Sequence, residues 1–149
     1  MNKRTYLLVL GAIIFLNLLL FSTGSSILNI NLFGIPFGNI LIWVGLIALH
    51  LFFYKLNTNY ESINTTIAKV IKALAKFFIF ISIIWFGIAY LLSGNINFNF
   101  SSNASSYLGS PKASILFWNI IYTLVISPII LSAIYTILKF IDIRKRRKL

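Results

Sequence analysis

Residues 113–138 pass without a charged side chain, and Lys139-Phe-Ile-Asp-Ile-Arg-Lys-Arg-Arg-Lys-Leu follows them. Hydrocarbon offers a backbone amide no partner. An uncharged run of that length therefore predicts a helix that satisfies its own hydrogen bonds while crossing a bilayer. The basic block behind it predicts a cytoplasmic terminus, and this orientation sets the direction of every earlier crossing.

Composition agrees. Of the 149 residues 59% are hydrophobic and 10% charged, with a mean hydropathy of +0.93, too few charges to cover a soluble domain. The expected class is an all-α integral membrane four-helix bundle with both termini cytoplasmic, forming one domain over residues 1–149. A bacterial cytoplasmic membrane is the expected location, since Ile, Asn, Lys, Phe and Tyr, whose codons are AT-rich, are abundant.

Asn2-Lys3-Arg4 precedes an apolar run over residues 6–21 and a Ser/Gly stretch. That order also suits a secretory leader, but it is read as the first helix, about 5–28. Residues 22–37 carry Gly24, Gly34 and Pro36 and form an outer loop, with 27–33 apolar enough to lie at the interface. Pro36 opens the second helix, 36–55, where its missing amide is not needed. Asn64, Thr65 and Thr66 suit the cap of the third helix, 66–92. In the second outer loop Asn95, Asn97 and Asn99 alternate with apolar residues and suggest a short strand. The fourth helix covers 113–143, with a basic tail over 144–149. Trp43, Trp85 and Trp118 fall in the outer halves of their helices, as an aromatic belt would require. Gly11, Gly45 and Gly87 read as helix contact points, and Gly34/Gly38 as a weak small-residue motif.

Two groups of residues carry the candidate sites. Lys69, Lys72 and Lys76 lie within about 60° of one another on a helix. With Arg144, Lys145, Arg146, Arg147 and Lys148 they form a basic cytoplasmic face suited to anionic headgroups or a soluble protein partner. Nucleic acid is expected only indirectly, because no aromatic residues interleave the tail. The second group is the row Asn119, Thr123 and Ser127, four apart on one face, ending at Pro128. It suits either a helix interface or a pore lining. Beyond it a second row, Ser132, Thr136 and Lys139, falls on roughly the opposite face, and a kink is expected at Pro128 that would allow both rows to share one surface.

The rest of the inventory is thin. Net charge is +11, from 13 basic residues against Glu61 and Asp142, and the lone histidine is His50, read as an unremarkable group near the inner interface. With no cysteine, no carboxylate inside a helix and no base for a serine, no catalytic set, cofactor site or metal site is expected. The expected role is a non-catalytic homo-oligomeric membrane scaffold or sensor, in a defence or envelope-stress setting. A holin-like pore lined by the fourth helix is one alternative, and an accessory subunit or toxin-immunity protein another.

Overall fold

The computed structural model describes residues 2–94 and 109–146, with Arg146 described by its backbone alone. Within them lie four helices, each long and apolar enough to span a membrane. The alternating Asn95–Asn99 stretch, Arg147 and Lys148 lie outside the described residues.

Helix α1 spans Lys3–Ser22, capped by Asn2, whose Oδ1 accepts from the Arg4 amide at 2.7 Å. Its 20 residues reach about 30 Å, one hydrocarbon thickness, so the span is complete six residues before the expected end. A short 3-10 turn, Ser26–Asn29, follows, and then two strands, β1 (Asn31–Leu32) and β2 (Ile35–Pro36). The expected outer loop thus contains a folded hairpin.

Helix α2 is Phe37–Leu56, α3 is Thr66–Ser93 and α4 is Pro111–Arg146. Thr65 caps α3 by accepting from the Ala68 amide, and Gly94 closes it in the left-handed conformation, with φ of 78°. Ser110 Oγ accepts from the Ala113 amide ahead of Pro111, so α4 begins two residues earlier than expected. It continues as one helix through Pro128 and three residues beyond the expected end.

Helices α2, α3 and α4 pack against one another in pairs, whereas α1 leans chiefly on α2. What organises the core is a seven-residue repeat on α3. Small residues Ala68, Ala75, Ser82 and Ala89 are buried at one position of the repeat, and Ile71, Phe78, Trp85 and Leu92 pack at the other. That spacing follows one seam of a left-handed crossing, and the small side chains let neighbouring backbones approach. Trp85 is only 2% exposed and packs on Phe117 at 5.2 Å, so it belongs to the core and not to an aromatic belt. Trp43 is half-buried, and its indole donates to the Ile83 carbonyl of α3 at 2.8 Å.

The glycines divide. An added Cβ at Gly45 would stand 2.8 Å from Asn17 Oδ1, so this glycine lets α1 press its amide onto α2. Gly11 meets Phe52 at ordinary distance. Gly87 faces open space and is no contact point. Gly34 is a turn residue and Gly38 seats Leu28, so the two do not form a helix-pairing motif.

Candidate functional site

Because α1 and α2 are antiparallel, and α3 and α4 likewise, the chain has two unlike ends. Lys3, Arg4, Lys55, the α3 lysines, Lys139, Arg144 and Lys145 gather at one end. Lys112 and the hairpin lie at the other.

Between the ends, α4 presents a polar row beside an open groove of about 480 Å³, lined by Phe78, Asn119, Thr123 and Ser127 among others. A second groove, of about 390 Å³, is lined by Asn119 and Thr123 together with Phe77, Ile81 and Ile88 of α3. Asn119 and Thr123 are exposed on the outer surface of the bundle. Thr123 Oγ1 donates back to the Asn119 carbonyl at 2.7 Å, the usual way a helix threonine is satisfied. No described residue supplies a partner to the Asn119 amide.

Ser127 is half-buried and turns toward α2. There His50, 3% exposed, faces it with Nε2 3.4 Å from Ser127 Oγ. The His50 Nδ1 lies 2.9 Å from the Leu46 carbonyl. A carbonyl only accepts, so Nδ1 is the donor and Nε2 of the neutral ring accepts from Ser127. Phe78 stacks on the imidazole at 6.2 Å. His50 is therefore a buried link between α2 and the groove, a correction to its reading as an unremarkable group near the inner interface.

Pro128 is buried and has no amide to offer the Leu124 carbonyl. Ser132, beyond it, is also buried and accepts from Asn57 Nδ2 at 2.8 Å. Thr136 returns its hydroxyl to the Ser132 carbonyl. The exposure does not divide at Pro128: Asn119 and Thr123 are exposed, Ser127 is half-buried and Ser132 buried, and Thr136 and Lys139 are exposed again.

The lysine end holds a feature that sequence reasoning missed. Thr58, Asn59 and Tyr60 have φ of 54°, 56° and 57°, three left-handed residues in succession, none of them glycine. Each such residue costs roughly 1–2 kcal/mol. Burial compensates them: Tyr60 packs edge-on against Tyr135 at 4.7 Å, and the Tyr135 hydroxyl accepts from the Ser62 amide at 2.9 Å and meets Ser62 Oγ at 2.7 Å. Burial pushes the Tyr60 hydroxyl up to about 12, against the opposing pull of its bond from Asn57. Asn59 Oδ1 is buried with no hydrogen-bond partner among the described residues. Asn59 alone signals this turn in sequence, since asparagine tolerates the left-handed region.

Lys72 reaches Glu61 at 2.7 Å, and this hydrogen bond and charge hold the Glu61 carboxyl below its ordinary range. Lys69 and Lys76 are exposed, as are Arg144, whose guanidinium sits 4.3 Å above the Phe140 ring, and Lys145. Among the described residues no three His, Asp or Glu side chains gather as metal ligands would. Comparison with family models, with curated proteins and with solved structures found no match for this chain.

Proposed function

We propose that the chain is a non-catalytic multi-pass membrane scaffold that assembles with copies of itself through the α3–α4 grooves. Its lysine end faces the cytoplasm and offers a basic rim to anionic headgroups or a soluble acidic protein. The charge asymmetry between the two ends supports the orientation.

The observation that carries the reading is Asn119. It stands seven residues, about 10.5 Å, from Lys112 along α4, at a depth set for hydrocarbon. A primary amide facing lipid loses water and gains no partner, whereas a second copy of α4 supplies donor and acceptor together. The grooves along the row leave room for that helix.

Mass determination of the purified protein in mild detergent tests this. The wild type is expected as a defined oligomer, and Asn119→Leu as a smaller species that keeps its helicity. A monomeric wild type, or an unchanged oligomer in the variant, would overturn it. A second reading draws on the same outward row. If the copies leave Asn119 and Thr123 around an axis, the assembly is a pore, and ion leakage from loaded vesicles would distinguish it from a closed scaffold.

A further inference from the structure

The end of the molecule opposite the basic rim, shared by the hairpin and Lys112, displays one side chain on a turn that disfavours it. Leu32 pairs with Ile35, so Phe33 and Gly34 form a two-residue loop with φ of 54° and 84°. A hairpin loop of this kind needs positive φ at both places, which glycine, asparagine and aspartate accept most readily. Gly34 fits that rule. Phe33 does not, because a bulky residue at positive φ is an outlier that persists where function holds it. Its ring is fully exposed.

The surroundings say what covers it. Ile27, Ile30 and Leu32 are also exposed on this segment, and residues 5–54 contain no Lys, Arg, Asp or Glu. The mount is fixed to the helix ends. The Phe37 amide donates to the Ile30 carbonyl at 2.8 Å, and Leu28 seats on Gly38 so closely that a Cβ there would stand 3.2 Å from the Leu28 carbonyl. The apolar lip is held beside the first turn of α2, where that helix enters the apolar layer.

We infer that the Phe33 hairpin is an interfacial anchor. Phe33, with Ile30 and Leu32, inserts into the headgroup–acyl boundary of the leaflet opposite the lysine rim. An aromatic ring is favoured at that depth, and an uncharged segment meets no charge penalty there. A charged soluble partner would find nothing on this lip to pair with. The inference rests on the membrane-spanning reading, and its test separates the two.

The chain has no cysteine, so one nitroxide can be placed at will. Phe33→Cys, Phe15→Cys on the exposed face of α1, and Lys145→Cys at the lysine end are labelled and reconstituted in phosphatidylcholine vesicles. Relaxation by dissolved oxygen is compared with relaxation by a water-soluble nickel chelate. The expected result is several-fold oxygen preference at Phe15 and Phe33, and nickel preference at Lys145. Oxygen preference at Phe15 with nickel preference at Phe33 would overturn the anchor while leaving the spanning helices intact, and would assign the ring to a protein partner instead. Nickel preference at both would overturn the spanning reading and the anchor with it. A label at Ile30→Cys adds a check that leaves the turn in place, since Phe33→Asp should shift it toward the nickel chelate.

Discussion

The two ends of this molecule each contain non-glycine residues forced to positive φ, and they deal with the strain in opposite ways. At the lysine end Thr58, Asn59 and Tyr60 are held by Tyr135, Ser62 and Asn57, so the cost is offset inside the protomer. At the hairpin end Phe33 is fully exposed and has no such covering among the described residues. Strain compensated by buried neighbours reads as architecture, the closing of the α2–α3 connection over α4. Strain left uncompensated points outside the chain. The comparison also separates polar groups: Ser127 and Ser132 find partners on or just after α2, whereas the Asn119 amide faces outward.

The sharpest way to break this contrast is at Tyr135. Tyr135→Ala removes a fully buried ring and the acceptor of the Ser62 amide, and should cost about 3–5 kcal/mol in a detergent unfolding titration. A loss no larger than that of an exposed alanine substitution would show that the left-handed turn is not held from α4.

The next effect is alkaline. Tyr60 stays neutral in the fold up to about 12, while a free tyrosine ionises near 10. Its contribution is complete below pH ~10 and falls by roughly 1.4 kcal/mol per unit as pH rises toward 12. Unfolding midpoints measured across that window should drop more steeply in the wild type than in Tyr60→Phe. Parallel curves would mean that the hydroxyl is not buried.

The smallest expected effect is at the other end. Phe33→Asn keeps the turn with a residue that accepts positive φ, and should change stability in detergent by less than about 1 kcal/mol, since relief of the turn offsets the ring lost from the micelle boundary. A loss of the size expected for Tyr135→Ala would mean that the Phe33 ring is packed, and the contrast between the ends would dissolve.

Much of the fold was legible because long uncharged apolar runs leave few choices besides a helix long enough to span a membrane. Uncharged runs located all four helices, with boundaries wrong mainly where caps decided them: Ser110 ahead of Pro111, and Thr23-Gly24 after α1. The seven-residue spacing of Ala68, Ala75, Ser82 and Ala89 was also present to be read. Apolar periodicity hides it, since residues facing lipid and residues facing the core are equally hydrophobic and only side-chain size differs. Trp85 was misplaced for that reason. His50 and the left-handed turn were illegible on other grounds, because their partners Ser127 and Tyr135 come from a helix far along the chain. The polar row was visible as a spacing, but which members face outward depends on how α4 rotates against α2 and α3.

Whether a second copy covers the outward row, as proposed, is decided by cross-linking in membranes. Ile126 is exposed beside the groove, and Val9 is exposed on α1. Assembly through this row gives a dimer band from Ile126→Cys under oxidation, none from Val9→Cys, and loss of the Ile126 band when Asn119→Leu is added. No band at Ile126 in a membrane-inserted protein, or a band indifferent to Asn119→Leu, would contradict it.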